Sequence, residues 1–306
     1  MLIVNATASS VTPRARVVIA KALAADHDVV VTDTTQRGHA TRLAQDAARR
    51  AVDAVVVLGG DGTLNEAANG LAGSSTALAT LPGGSTNVFA RTIGLPNDPI
   101  EATGQLLAAL EAGRRERVGL GSVNGRYFLF HLGVGFDAAV VERVERRSRL
   151  KRRLGHGWFA WNALVAWLRH YDRSRPRFAV RFPGDRSIDD AYLALFLNTD
   201  PYTWFGPRPL SVAPGTGIAD PLSVMVMRSL RLVPTLGTVG RALVGGNAVA
   251  RSRWAVVERA EERASVEAYG PVPHQVDGEY LGVTTALEVR HHPGILDLIV
   301  PPDHAG

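Results

Sequence analysis

Val55 to Glu66 reads VVVLGGDGTLNE, and the reading of this stretch decides the fold. Val55, Val56, Val57 and Leu58 form a short apolar run, β-branched except for its last residue. Such a run suits a parallel strand buried on both faces. Gly59 and Gly60 end the strand. Asp61, Gly62 and Thr63 follow, and apolar periodicity predicts a helix from near Leu64. A strand, a glycine turn and a helix N-terminus together make a phosphate site. Glycine lets an anion approach the backbone closely, and the first N–H groups of the helix face it. A carboxylate beside phosphates repels them unless a cation lies between, so Asp61 implies Mg²⁺. The plain alternative is a glycine turn with no ligand.

No G-x-x-x-x-G-K-[ST] loop occurs in the chain, and GGDGT lacks the G-x-G-x-x-G spacing of dinucleotide-binding turns. A second glycine-rich stretch, Leu81 to Arg91, reads LPGGSTNVFAR. The two stretches resemble the signatures of the diacylglycerol kinase and sphingosine kinase superfamily, which NAD kinases and phosphofructokinases share in looser form. The second follows the lipid-kinase pattern P-x-G-T-x-N-D-x-A-R, with Ser85 where that pattern has Thr and Val88 where it often has Asp. The Ser-Thr-Ala-Tyr stretch of NAD kinases is absent. The resemblance implies two domains. The first, residues 1–120, is an open α/β nucleotide-binding domain of NAD kinase and phosphofructokinase type. The second, residues 121–306, is a mainly antiparallel β-sandwich with inserted helices that takes the lipid.

At 306 residues the chain can bury a sizeable core and has room for two domains. It contains no cysteine, which excludes disulfides, thiolate metal sites and a cysteine nucleophile and fits a reducing compartment. The N-terminus lacks a basic segment followed by a long apolar one, so no signal peptide is expected. No run of about 18 apolar residues predicts a membrane span. The net charge of +5 and pI near 9.9 suit nucleic acid, an anionic membrane or a nucleotide. No helix-turn-helix, zinc finger or aromatic RNA-binding signature is found, so nucleic acid is not expected as a partner.

In the first domain, Leu2 to Asn5 reads as a strand, followed by a polar turn and a helix from Pro13 to about Ala25. The family usually has N-P-x-S-G after this strand. Here Asn5-Ala6-Thr7-Ala8-Ser9 lacks the Pro and the Gly, but Asn5, Thr7 and Ser9 still offer hydrogen bonds to phosphate. Asp28 to Thr32 is the second strand. Thr34 to Ala40 resembles the T-T-x-x-G-H-A turn of the family, in which a Thr lies against the nucleotide. Thr35 is the match, and an ordinary helix cap is the other reading. His39 reads as structural. Ala77 to Leu81 is the fourth strand, and Gly83-Gly84-Ser85-Thr86-Asn87 opens another helix. Two glycine turns thus follow two successive strands, at the carboxyl ends where open α/β sheets bind ligands. Asn65 and Glu66 are read in the first turn of their helix, where Glu suits the dipole; the resemblance makes them nucleotide contacts as well. The resemblance gives the nucleotide set as Asn5, Thr7, Ser9, Thr35, Gly59, Gly60, Asp61, Gly62, Thr63, Asn65, Glu66, Gly84, Ser85 and Asn87. Arg91 meets phosphate or a nearby acid. Asp98 to Ala112 is a further amphipathic helix.

In the second domain, Arg115 to Val123, Asn124-Gly125 and Arg126 to Leu132 read as a hairpin with a type I′ turn. His131 to Asp137 resembles the G-x-G-F-D-A element of the family. Asp137 then lies near the acceptor headgroup, or else caps the helix that follows. Arg143 to Arg153 is an arginine-rich run, and Trp158 to Tyr171 is aromatic-rich. Together they suit either an anionic membrane surface or a solvated face beside a packed helix. Arg177 to Phe182, Ala191 to Leu197 and Leu222 to Met227 read as strands. Ala213 to Leu222 resembles the A-P-x(5)-D-D-G-x-L turn of the family, with Ala219 and Pro221 replacing its first Asp and its Gly, which puts a structural metal there in doubt. His274-Gln275-Val276-Asp277-Gly278-Glu279-Tyr280 reads alone as a hairpin turn. The family has the same V-D-G-E late in the chain, where one carboxylate accepts the proton. The resemblance nominates Glu279, with Asp277 as alternative. Ile295 to Val300 is a last strand, returning to either domain.

The resemblance therefore implies ATP and Mg²⁺, with Asp61 toward the metal and Glu279 or Asp277 as base. The acceptor is the hydroxyl of a membrane lipid, diacylglycerol first and a sphingoid base or other lipid alcohol second. A nucleotide-binding regulator without turnover is the reading from a different class. A cytoplasmic chain at the inner membrane face is the expected setting, with a homodimer as the one assembly considered.

Overall fold

The computed structural model describes residues 1–146 and 171–301, and the chain divides into two units, Met1–Leu120 with Pro293–Gly306, and Gly121–His292. The arginines from Arg147 to Arg153 and the aromatic segment from Trp158 to Leu168 lie outside the described residues.

The first unit is built on short apolar strands: β1 (Leu2–Val4), β2 (Val31–Asp33), β3 (Ala54–Gly59) and β4 (Ala77–Pro82). They run parallel in the order β4-β3-β1-β2, with Val55 beside Leu78 and Val57 beside Ile3. The end of the last strand of the chain, β16 (Glu279–Ile299), joins beyond β4 through Leu298 and Leu78. Val55, Val57 and Leu58 are fully buried. Burial on both faces explains a run without polar alternation, and each such side chain stabilises by about 1.5–3 kcal/mol. β2 is the edge strand, and its Val31 is 37% exposed.

Helix α1 (Pro13–Leu23) starts at Pro13 because Thr12 caps it, the Thr12 hydroxyl accepting the Ala15 N–H at 3.1 Å. Ala15, Ile19 and Leu23 form its buried stripe. Helix α2 (His39–Arg49) packs on α3 (Asp61–Leu71) through small residues. A Cβ on Gly70 would lie 2.5 Å from the Thr41 carbonyl oxygen and 2.8 Å from the Ala44 Cβ, so only glycine allows that approach. Helix α4 (Val88–Thr92) is one turn long, and α5 (Pro99–Glu111) is capped by Asp98, whose carboxylate accepts the N–H groups of Ile100 and Glu101 at 2.9 Å. One expectation moves here. The helix read from near Leu64 begins at Asp61, because first-turn residues need no partner for their N–H groups and Asp61 suits the positive end of the dipole. Asn65 and Glu66 accordingly sit in its second turn.

The second unit is mainly antiparallel. Its elements are the end of β5 (Arg115–Val123), β6 (Arg126–Phe128), β7 (His131–Gly135), α6 (Phe136–Arg146), β8 (Phe178–Arg181), β9 (Ser187–Ala191), β10 (Leu193–Leu197), the small hairpin β11 (Thr203–Phe205) and β12 (Arg208–Leu210), β13 (Leu222–Met227), α7 (Leu232–Val244), β14 (Ala255–Glu261), β15 (Arg263–Val276) and the start of β16. The strand order is β14-β13-β10-β7-β15-β16, with β8 pairing the first part of β15 and β9 pairing β8. The Asn124-Gly125 turn has positive φ at both residues, 48° and 85°, as a type I′ hairpin requires. Asp277-Gly278 repeats it with 48° and 80°.

Strands β10 and β13 are covered on both sides. Ala194, Phe196, Val224 and Val226 face one core with Phe178, Val180, Val266 and Val276. Leu193, Leu195, Leu197, Met225 and Met227 face another with Ala242, Val249 and Ala255. No described helix is long and apolar enough to cross a membrane.

Candidate active site

The carboxyl ends of β1, β3 and β4 bring the first group of site residues together. The two glycine turns lie backbone against backbone. A Cβ on Gly83 would stand 2.9 Å from the Gly59 Cα and 2.7 Å from the Val11 Cγ2, and one on Gly84 would stand 2.9 Å from the Gly60 Cα. The Gly83 N–H donates to the Gly59 carbonyl at 2.8 Å. The turn after β1 is tied to both. Asn5 Nδ2 donates to Thr63 Oγ1 at 2.9 Å, and the Thr7 hydroxyl donates to Asn5 Oδ1 at 2.7 Å. Ser10 donates its N–H to the Gly83 carbonyl at 2.8 Å and its hydroxyl to that of Gly84 at 3.0 Å. Ser10 was missed in the sequence, where it is one serine among several in a polar turn.

Asp61 stands at the first position of α3, and its carboxylate accepts the N–H of Val88 at 3.0 Å and of Phe89 at 3.1 Å. It therefore caps α4, whose own N-cap residue Asn87 makes no side-chain cap bond. Asn87 is left-handed, with φ 50°, and 2% exposed. Its Oδ1 accepts the Gly84 N–H at 2.7 Å, and its Nδ2 donates to the Gly84 carbonyl at 2.9 Å and to Asn97 Oδ1 at 2.8 Å. Asn87 thus shapes the second glycine turn from inside.

Gly60 is the extended N-cap of α3 and provides no side-chain cap. Beside it Gly62 is exposed, with no atom within 4 Å of the place where a Cβ would stand. Thr7, Ser9 and Ser85 are also exposed. The arrangement is a helix N-terminus without a side-chain cap and with room beside Gly62, which suits an oxyanion.

Thr35 and Glu66 gather at the start of α2. The Glu66 carboxylate accepts the N–H of Gly38 at 2.7 Å and of Ala40 at 3.1 Å. The Thr35 N–H donates to His39 Nδ1 at 3.1 Å, so His39 closes its own turn. Asn65 is 2% exposed, and Asn69 Nδ2 donates to its carbonyl at 2.9 Å. Arg91 lies in α4, where burial draws its guanidinium below the ordinary value.

For Mg²⁺ the donor set is a test. Among the described residues no group of three or more His, Cys, Asp or Glu could hold a metal. A magnesium ion that arrives on a nucleotide needs less, since phosphates and waters fill most of its shell. A carboxylate has about four acceptor directions, so the amide bonds to Val88 and Phe89 are compatible with an outer contact to a metal-bound water. Asp61 fits that role. The Asp220 carboxylate accepts the Gly217 N–H of its own turn at 2.9 Å.

In the second unit, Asp277 is 5% exposed. Its carboxylate accepts the N–H groups of Leu129 at 2.7 Å, Phe130 at 3.0 Å and His131 at 3.0 Å, and its own N–H donates to the His131 carbonyl at 3.0 Å. This bracket fixes the connection between β6 and β7. Glu279, two residues on, is partly exposed and pairs with Arg126 at 2.5 Å. Asp137 is not a helix cap. It lies in the first turn of α6, 6% exposed, and accepts hydrogen bonds from the Tyr202 hydroxyl and from Gln275 Nε2, the latter at 2.7 Å. Burial pushes the Asp137 carboxyl up, against the pull of those two donors, and burial beside Asp137 raises the Tyr202 hydroxyl as well. The His131 ring lies 4.7 Å from that of Tyr202, and burial lowers its pKa to about 3. Tyr202 and Gln275 had no signal in the sequence as partners of Asp137.

Residues 1–123 match the family model of the diacylglycerol kinase catalytic domain. A protein of Chromohalobacter salexigens named "Probable lipid kinase YegS-like" is 34% identical over 199 residues, 63% of this chain, and the chain spans 61% of that protein's length. A protein of the same name from Pseudomonas aeruginosa strain UCBPP-PA14 is 31% identical over 258 residues, 80% of this chain and 79% of that one. A crystal structure of a diacylglycerol kinase from Bacillus anthracis str. Sterne has a TM-score of 0.72 at 22% identity, over 99% of this chain and 97% of that one, and supports the fold. With these two glycine turns, that catalytic-domain match and a relative this similar over most of both lengths, the chain belongs to the family of diacylglycerol kinase-type lipid kinases.

Proposed function

We propose that the chain is an ATP-dependent kinase that transfers the γ-phosphoryl group to the hydroxyl of a membrane lipid, diacylglycerol first, giving phosphatidic acid. The observation that carries this reading is the uncapped N-terminus of α3 at Gly60 to Gly62, open to solvent beside the Asp61 carboxylate. The matched diacylglycerol kinase catalytic domain supports diacylglycerol over a sphingoid base.

The N–H groups at the start of α3 and the hydroxyls of Thr7, Ser9, Thr63 and Ser85 bind the phosphates. Asn5 and Asn87 hold the turns that present them, and Glu66 and Thr35 hold the start of α2. Asp61 is the residue that would hold a Mg²⁺ brought in on the phosphates, and the metal would supply charge neutralisation there. Arg91 adds a cation on the phosphate side. The acceptor oxygen forms its bond to the γ-phosphorus as the bridging P–O bond to ADP breaks, and the hydroxyl proton goes to Glu279. Asp277 is the poorer base, since main-chain N–H groups engage its carboxylate. Asp137, buried under two donors, acts as a positioning residue toward the acceptor headgroup. Catalysis rests on positioning and charge neutralisation. We place the chain on the cytoplasmic side, at the membrane surface.

The test is transfer from labelled ATP in mixed micelles holding diacylglycerol, sphingosine or neither, beside soluble NAD. Labelled phosphatidic acid is the expected product. A product with sphingosine alone moves the acceptor, and ATP binding without any product favours a regulator.

A further inference from the structure

Helix α7 (Leu232–Val244) is turned inside out. Its buried positions are Pro234, Thr238 and Ala242, one small-residue stripe at spacing four. The Ala242 carbonyl accepts the Ser211 N–H at 2.9 Å, and Ala242 joins the core with Val212 and Leu230. The bulky apolar residues face out. Leu232 is 54% exposed, Leu236 62%, Val239 45% and Leu243 44%, and these four follow the i, i+4, i+7, i+11 spacing of one helix face. Val233 and Val244, at 78% and 82%, widen it. A face of this width on the surface marks an interaction site.

Charge around the helix says what the face meets. Between Asp220 and Glu258 the chain has Arg228, Arg231, Arg241, Arg251 and Arg253 and no acidic residue. All five arginines are exposed. Arg228 is paired with Asp190, and Arg253 stacks over Trp254 at 4.6 Å. Arg231 is the N-cap of the helix, Arg241 lies in its last turn, and Arg251 follows it. An exposed apolar stripe in a segment that carries five arginines and no acid of its own matches a bilayer surface with anionic headgroups.

We infer that α7 is a membrane-docking helix of this chain, its Leu232, Leu236, Val239 and Leu243 face entering the headgroup boundary of an anionic bilayer while Arg231, Arg241 and Arg251 meet the phosphates. The inference deepens the lipid-kinase reading and rests on it only for its purpose, since docking is measured without turnover.

The experiment is co-sedimentation of the full chain with vesicles of phosphatidylcholine alone and of phosphatidylcholine with phosphatidylglycerol. The wild type should sediment with the anionic vesicles. Leu232→Ser, Leu236→Ser and Leu243→Ser together should lower the partition at least about tenfold while the chain stays folded, because these side chains are 44–62% exposed and lie outside the core. Arg231→Gln, Arg241→Gln and Arg251→Gln together should weaken the preference for anionic vesicles at least about tenfold. The same variants should keep transfer to a short-chain, water-soluble acceptor and lose it with a vesicle-held one. Unchanged sedimentation of the leucine variant overturns the inference. A wild-type dimer that the leucine variant converts to monomer, with vesicle binding unchanged, also overturns it and gives the face to a second copy. Vesicle binding that depends on α7 in a chain that phosphorylates no lipid upholds the docking helix and refutes the kinase reading.

Discussion

The carboxylate of Asp61 accepts the backbone N–H of Val88 at 3.0 Å, joining the first glycine turn to the second. With the bond from Phe89, it fixes the one acid of the glycine turn at the start of both α3 and α4. Asp61→Asn keeps one of the two acceptors toward α4, turns an NH2 toward the other N–H and loses the negative charge. We expect a stability loss of about 1–3 kcal/mol in a chain that still folds, and turnover reduced by roughly two orders of magnitude or more. Full activity in the folded variant would remove Asp61 from the metal.

Gly62 and Gly83 separate phosphate binding from folding. A Cβ at Gly62 meets nothing, whereas at Gly83 it meets the Gly59 Cα at 2.9 Å. Gly62→Ala should leave the melting temperature unchanged and weaken ATP binding about tenfold in calorimetry, since the methyl enters the space the phosphates need. Gly83→Ala should cost about 1–3 kcal/mol of stability through overpacking. Equal ATP affinity in Gly62→Ala and wild type would refute the cradle at α3.

Glu279 and Asp277 should differ in kind. Glu279→Gln breaks a partly exposed ion pair with Arg126, for less than about 1 kcal/mol, and should lower turnover about 10²–10⁴-fold with ATP binding kept. Asp277→Ala leaves the N–H groups of Leu129, Phe130 and His131 without their carboxylate and should cost about 3 kcal/mol or more. Urea unfolding and rate measurements on both variants check this. A stable, inactive Asp277→Ala would exchange the two roles.

The buried histidine gives a pH dependence. The pKa of His131 is about 3 in the folded chain against 6.5 when unfolded, so it folds neutral. Its contribution is present above pH 6.5 and is lost as pH falls toward 3. Between pH 7 and pH 5 that loss is about 2 kcal/mol. Asp137 works in the opposite sense, since its raised pKa favours folding below the ordinary carboxyl value and loses that contribution as pH rises. Replacing His131 by Gln should flatten the fall of unfolding free energy between pH 7 and 5. An unchanged slope would place the acid sensitivity elsewhere.

The parts of this chain legible in the sequence are those encoded locally. Val55 to Gly60 gave its strand and turn because four apolar residues and two glycines each act on their own backbone. The start of α3 was read three residues late, because first-turn positions carry no apolar periodicity. Asp61 was visible as an odd acid, but its partners lie 27 and 28 residues away, and no local pattern announces them. Tyr202 reaches Asp137 across 65 residues in the same way. Helix α7 shows another limit. Leu232, Leu236, Val239 and Leu243 have the spacing of a core face, and only the packing of Pro234, Thr238 and Ala242 shows that the face is turned outward.

The most direct measurement is phosphoryl transfer from labelled ATP to diacylglycerol in mixed micelles, run with Mg²⁺ and again with the metal chelated. The expected result is labelled phosphatidic acid that appears only when both diacylglycerol and Mg²⁺ are present. No labelled lipid with Mg²⁺ while ATP still binds, or equal product after chelation, would contradict a magnesium-dependent lipid kinase.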